Sequence, residues 1–207
     1  DLLLCDRRQR QMCIRDSMQV AHFDMEKEVE TFRLREGINA HLRNNDIPLA
    51  VINAEIVPDD FNARFSATGR GYVYRILNRR AAPVIDKNRV WWVPYPLDIA
   101  KMKEAAALLL GSHDFSSFRA AACQAKSPVK TLDKLNIIAD GDEIRFIVEA
   151  RSFLHHQVRN MVGTLKMVGA GQLQPHDIIK ILEAKDRAAA GPTAPACGLY
   201  LSKVTYD

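Results

Sequence analysis

Three side chains, Arg70, Tyr72 and Arg159, are of types that hold anions or lie flat against a ring. Arg70 and Tyr72 belong to the stretch Phe61 to Ile76, FNARFSATGRGYVYRI. From Thr68 on this stretch alternates with period two. Arg70, Tyr72 and Tyr74 therefore share one face of a strand, and Gly69, Gly71 and Val73 lie on the other. A half-buried strand ordinarily turns aliphatic side chains inward. Here a guanidinium stands beside two phenols. Cations that grip phosphates and rings that stack on bases are the groups RNA recognition uses. The same letters also fit a strand whose tyrosines are core and whose arginine is rim.

Arg159 sits in a second stretch, Phe153 to Gly163, FLHHQVRNMVG, which passes from a strand into a helix. His155 and Arg159 are four apart and are expected on one face, away from a Val/Met stripe. An arginine in a first helical turn faces the positive end of the dipole, so Arg159 calls for a carboxylate or phosphate nearby. A solvated arginine is the plain alternative. His155 and His156 are adjacent, point apart on a helix and have no third ligand at a useful spacing, so no metal is expected. Arg64, Arg79, Arg80, Arg119, Lys126 and Lys130 cluster around turns, where they are either solvated or able to track a phosphate backbone. No P-loop, GxGxxG, GxSxG or Cys–His spacing is present, which disfavours a nucleotide or cofactor enzyme.

The elements that must position these groups follow from the pattern. Of 207 residues 47% are hydrophobic, enough to bury one large domain or two small ones. A net charge of +4 permits a polyanionic partner without demanding one. Strands are expected at Gln19–Phe23, Leu49–Val57, from Thr68 through Ile76, at Val90–Val93 and at Leu199–Tyr206. Leu132–Ile138 and Ile144–Arg151 form a hairpin through Asp140-Gly141. Helices are expected over Thr31–Leu42, over Ile99–Leu110 capped by Asp98, from about His156 to Val168, and over His176–Glu183. His113–Arg119 reads as a packed loop. Interleaved strands and helices with an antiparallel hairpin favour α+β with a mixed or antiparallel sheet. Cys5, Cys13, Cys123 and Cys197 lack zinc or redox spacing. Cys123 and Cys197 read as reduced thiols of a cytoplasmic protein. No apolar run approaches the roughly twenty residues of a membrane span.

Residues 1–18 do not read as the start of a domain. Met12 to Ser17, MCIRDS, resembles the translation of a transposon end used in sequencing libraries. The segment is expected to be non-native and joined to a shortened reading frame. A genomic clone encoding it contiguously with Gln19 would end that idea. Residues 19–62 then read as the remnant of an N-terminal half and 63–207 as a C-terminal half. The remnant is expected to be poorly buried.

The motifs QVAHF, FNARFSATGRGYVYRI, GSHDFSSFRA, SPVKTL, FLHHQVRNMVG and AKDRAAAGPTAPACGLYL occur in that order along the chain. Together they resemble the bacterial tRNA pseudouridine synthases that modify the anticodon arm, from Gln19 to Asp207. The resemblance implies a pseudouridine synthase fold: a mixed sheet flanked by helices, in two related halves around a basic cleft. It implies isomerisation of uridine just 3′ of the anticodon, without metal or cofactor, by a homodimer that binds tRNA. The target base is flipped out and an aspartate attacks the nucleoside. Tyr72 matches the active-site tyrosine near that base, and Arg159 the arginine that pairs with the aspartate. Gly198 to Leu201, with Leu199, matches the apolar lining of the base pocket. Arg64, Arg70, Arg119, Lys126 and His155 are the expected RNA contacts. One departure matters. The family's aspartate lies in a G-R-T-D-A-G-V-H-A loop, and Gln11 occupies its position here. Asp16 is three residues before Gln19 without flanking glycines, and Asp6 is too far upstream. The chain is therefore expected to bind RNA but to lack its nucleophile. The alternatives are a non-catalytic RNA-binding module and a protein-binding α+β domain in which Arg70, Tyr72 and Arg159 are dispersed.

Overall fold

The computed structural model describes residues 17–206. Gln11, Asp6, Asp16 and nearly all of the segment read as non-native lie outside the described residues. The first described stretch is open. Helix α1 spans Thr31–Asn44 and has no fully buried residue; its Leu34, Ile38 and Leu42 stripe is only half-covered. This agrees with the expectation of a poorly buried first portion. Two expected strands are not there. Gln19–Phe23 and Leu49–Val57 belong to no ladder. A strand is defined by its neighbour, and among the described residues neither has one. Leu49–Val57 is held instead by one side chain: Asn39 accepts from the Val51 N–H at 2.7 Å and donates to the Val51 carbonyl at 2.9 Å. Ile52 and Ile56 stay 74% and 86% exposed, so the apolar letters that suggested a strand have nothing to cover them.

From Gly69 onward the pattern holds. Strand β1 spans Gly69–Asn78 and is the centre of the sheet. It pairs antiparallel with β6, Glu143–Ala150, from Arg70 to Leu77. On its other side it pairs antiparallel with β7, Leu199–Thr205, and then parallel with β2, Trp91–Val93. Strand β5, Lys134–Asp140, joins β6 through the tight turn at Gly141, whose φ of +56° is one a glycine adopts without strain. One parallel pair among antiparallel ones makes the sheet mixed, as read. A separate two-stranded ribbon pairs β3, Gly111–Asp114, with β4, Val129–Leu132. The expected packed loop at His113–Arg119 is therefore part strand, followed by a 3-10 turn at Ser116–Phe118 that buries Phe115 and Phe118 completely.

One face of the sheet is the core. Tyr74, Ile76, Ile144, Phe146 and Val148 point into it, because facing residues of an antiparallel pair lie on the same side. Helix α2, Ile99–Ala107, covers it with Met102, Ala105 and Ala106. Helix α3, Gln157–Gly169, covers it with Val158, Met161, Val162, Leu165 and Val168, the stripe read from the sequence. Asp98 caps α2 by accepting from the Lys101 N–H at 3.0 Å. The helix ends three residues sooner than expected, before a turn into Gly111 at φ +91°. Helix α4, Asp177–Ala184, packs Ile178 and Ile181 at the edge. The opposite sheet face is polar: Arg75 makes a paired contact with Glu143, at 2.8 and 3.1 Å, beside the Tyr200 ring.

Candidate functional site

Tyr72 stands where β1 leaves the deepest part of the core. Val148 of β6 and Leu201 of β7 flank it in register. Its ring is half-buried and meets Phe153 edge-on, with centroids 5.2 Å apart. Tyr74, two residues on, is fully buried and serves the core, and its hydroxyl donates to the Pro195 carbonyl at 2.6 Å. The two phenols of the sequence pattern thus have different surroundings. One is a packing residue with its hydroxyl satisfied; the other lies at the rim of the core.

The chain reaches α3 through a tight corner. Gln157 is buried and accepts from the Leu154 N–H at 2.8 Å, closing the turn. His156 takes φ 63° and ψ 5°, a left-handed conformation unusual for a residue with a Cβ. The helix starts after it, so His155 precedes the helix and does not share a helical face with Arg159. That expectation is corrected: the ring within reach of Arg159 is His156, whose Nε2 lies 3.2 Å from an Arg159 terminal nitrogen. Arg159 Nε donates to the Ala194 carbonyl at 2.7 Å, and the Ala194 N–H donates to the Arg159 carbonyl at 3.1 Å. The next carbonyl, that of Pro195, is the one Tyr74 holds. Arg159 and the tyrosine face of β1 are therefore joined through two consecutive residues on the same side of the sheet.

The loop carrying Ala194 is clamped along its length. Asn160 is fully buried inside α3; it donates to the Phe118 carbonyl at 2.7 Å and accepts from Thr193 at 2.7 Å and Arg187 at 3.2 Å. Thr164, one turn on, accepts from the Gly191 N–H at 2.9 Å. A network this buried is stiff only because each polar group is satisfied. Asn160, Thr164, Arg187, Thr193 and Phe153 were not singled out in the sequence. The signal was there: two polar residues four apart inside an otherwise apolar helical stripe.

The other expected contacts are distributed as follows. Arg70 donates to the backbone carbonyls of Arg151 at 2.7 Å and of Arg64 and Ala67, so it ties loops together. Arg119 does the same for the 120–126 loop, donating to Cys123 and Ala125 carbonyls at 2.6 and 2.9 Å. Arg64 is exposed and lies over the Phe65 ring, itself 78% exposed. Lys126 is exposed. His155 is exposed, and its N–H donates to the Cys123 sulfur at 3.3 Å. Leu199 is buried in register with Tyr74. A surface depression of about 550 Å³ lies between Lys130, Thr131, Arg151 and Ser152, and a smaller one of about 110 Å³ continues from Arg151 to Arg70. Neither includes Tyr72 or Arg159, and both are open and partly acidic, lined by Asp133 and, in the smaller, Glu149.

Electrostatics sharpen one position. Burial, aided by Arg159, His155 and Arg187, pushes His156 from 6.5 down to about 4. The unfolded chain then binds a proton near pH 6.5 that the fold does not bind until about pH 4. Stability contributed by neutral His156 is complete above pH 6.5 and is lost as pH falls towards 4. Urea midpoints measured at pH 7, 5.5 and 4.5 should fall with pH, and fall less in His156→Gln; equal slopes would refute the assignment. At Cys123 burial pushes the thiol up, but the Ala125 and His155 N–H groups and Arg119 outweigh it and hold the thiol below its ordinary value. Among the described residues no cluster of His, Cys, Asp or Glu is arranged to hold a metal, and no helix is long and apolar enough to cross a membrane.

With that geometry in place, the likeness to known proteins is extensive. The sequence pattern of the family described as tRNA pseudouridine synthase matches residues 105–207. A protein named tRNA pseudouridine synthase A from Paramagnetospirillum magneticum is 57% identical over 189 residues, covering 91% of this chain and 73% of that protein. Its namesake from Rhodopseudomonas palustris is also 57% identical, with 91% and 76% covered. That from Mesorhizobium japonicum is 54% identical over 190 residues, with 92% and 77% covered.

Proposed function

The chain belongs to the tRNA pseudouridine synthase family, whose members isomerise uridine in tRNA, and from that premise we propose how its residues serve the reaction. The substrate is the anticodon arm of tRNA, just 3′ of the anticodon. Tyr72 lies against the flipped uracil, with Phe153 supporting its ring. Arg159 supplies the positive charge that orients the nucleophilic carboxylate, and Leu199 and Leu201 belong to the apolar side of the base pocket. Two copies share the RNA as a homodimer, around a basic cleft between two related halves of the fold.

A single observation carries the reading. Arg159 holds the Ala194 carbonyl while Tyr74, next but one to Tyr72, holds the adjacent carbonyl of Pro195. Residues 72 and 159 are far apart in sequence, and this short bridge brings their elements to one side of the sheet. The phenol in that bridge is Tyr74, and Tyr72 stands next but one to it along the same face of β1.

Exposed and half-buried cations supply the non-specific part of RNA binding. Arg64, Lys126, Lys130 and Arg151 form no ion pair with a carboxylate among the described residues. Each phosphate they neutralise releases a counterion, which steepens the salt dependence of binding by about 0.7 to 0.9 per contact. Unmodified tRNA should therefore bind with an affinity that falls steeply between about 50 and 200 mM salt. Arg64→Ala with Lys126→Ala should lower that slope by between about 1 and 2. Wild-type protein that does not bind tRNA would remove the proposal. Sedimentation of the chain with and without tRNA reads the dimer directly.

A further inference from the structure

We propose that His156 is a positioning residue, whose neutral imidazole fixes the Arg159 guanidinium by accepting a hydrogen bond at Nε2. This rests on the reading of Arg159 just given. The contact is 3.2 Å long, and its direction is settled by chemistry. An arginine side chain has donors and no acceptor. His156 must therefore present a lone pair at Nε2, with its ring proton on Nδ1.

Two fixed points define the plane of the guanidinium: the Ala194 carbonyl at Nε, 2.7 Å away, and the His156 ring at a terminal nitrogen. The ring is itself held. The left-handed backbone at φ 63° aims it back along the start of α3, and the His155 ring lies 4.0 Å away at 35°. A backbone conformation that disfavours a Cβ persists only where surrounding contacts impose it. Here the product is a ring placed beside an arginine.

The choice of acceptor matters. A carboxylate in the place of the ring would orient Arg159 but would also offset its charge. A neutral imidazole orients the fork and leaves that charge to act on the carboxylate it serves. The groups around His156 keep it neutral. Arg159 faces it from its own helix, Arg187 from the 3-10 turn at Arg187–Ala189, and His155 from the preceding corner, where its N–H meets Cys123. None is an anion. Protonation would set two cations 3.2 Å apart, in keeping with the depressed titration of this ring. Arg159 would then lose the acceptor at that terminal nitrogen.

Three variants of the full chain test this. His156→Asn tolerates the left-handed backbone but is too short to reach Arg159; His156→Gln returns an acceptor oxygen at similar reach. Arg159→Gln removes the guanidinium. In nitrogen-labelled wild-type protein, NMR should show Nε2 of His156 without a proton at neutral pH and a resolved, slowly rotating Arg159 Nη signal. That Arg159 signal should broaden in His156→Asn and return in His156→Gln. In the same chain with a G-R-T-D-A-G-V-H-A segment restored ahead of Gln19, kcat on unmodified tRNA should fall about tenfold in His156→Asn and recover in His156→Gln. A proton on Nε2 at neutral pH overturns the proposal whatever the variants do. So does a folded His156→Asn protein with an unchanged Arg159 signal. If Arg159→Gln in the restored chain turns over as its parent does, the role given to Arg159 fails, separately from its contact with His156. If Arg159→Gln lowers kcat and His156→Asn does not, only His156 is excluded.

Discussion

Incubated with unmodified tRNA, a polypeptide of this sequence should form no pseudouridine, whereas the same chain with a G-R-T-D-A-G-V-H-A segment restored ahead of Gln19 should form it. The reasoning is chemical. Breaking a glycosidic bond and rejoining the uracil through carbon needs a nucleophile within near-attack distance. Neither a phenol nor a guanidinium provides one. By resemblance to the family the nucleophile is an aspartate, and Gln11 stands at its position. An amide at that point cannot attack, and a misplacement of about 1 Å alone can cost about a hundredfold. In the restored chain, Arg159→Gln should lower kcat at least about a hundredfold, since it removes the partner of the carboxylate. Tyr72→Ala should act as strongly. The readout is mass-resolved nucleoside analysis of the digested tRNA. Turnover by the chain as it stands would show that another carboxylate serves. A restored chain that stays inactive with Tyr72 and Arg159 intact would refute the site. Restored activity also separates an enzyme from the rival reading, an RNA-binding module, because a module that only binds gains nothing from a nucleophile.

What the sequence made legible was whatever depends on local period. The alternation from Thr68 placed β1, Asp140-Gly141 placed the hairpin, and the Val158–Val168 stripe placed α3, because each rule acts between near neighbours. Leu49–Val57 satisfied the same strand rule and failed, since a ladder needs a second strand that no local letter supplies. Arginine chemistry was the hardest to read. The letters of Arg70, Arg119 and Arg159 are equal, yet the first two are spent largely on backbone carbonyls while the third is aimed between a carbonyl and a ring. The corner at His156 was also hidden. Its left-handed conformation accompanies a turn closed by the Gln157 side chain on the Leu154 N–H, a contact that no local period announces. Consequently the candidate residues were identified, by resemblance, more fully than the contacts that hold them.

The tightest of those contacts yields the second large effect. Gly163 lies inside α3, where alanine is ordinarily the better residue by about 1 kcal/mol. A Cβ on Gly163, however, would stand 1.8 Å from the Pro192 carbonyl oxygen and 3.3 Å from the Ala194 nitrogen. The obstacle is backbone, so no rotamer change relieves it. Either α3 or the 187–195 loop must move, and the loop is the segment whose carbonyls hold Arg159 and Tyr74. Gly163→Ala should therefore lose about 3 kcal/mol of stability, a fall of about 6 to 12 °C in Tm for a chain of this size. Gly37→Ala supplies the comparison. Gly37 lies in α1, and a Cβ added there would meet nothing within 4 Å, so the same change should gain up to about 1 kcal/mol, the propensity difference alone. Thermal melts of the two variants, side by side, separate sterics from propensity. Should Gly163→Ala melt with or above wild type, the loop is not pressed against α3, and the argument that this contact aims Arg159 loses its mechanical basis.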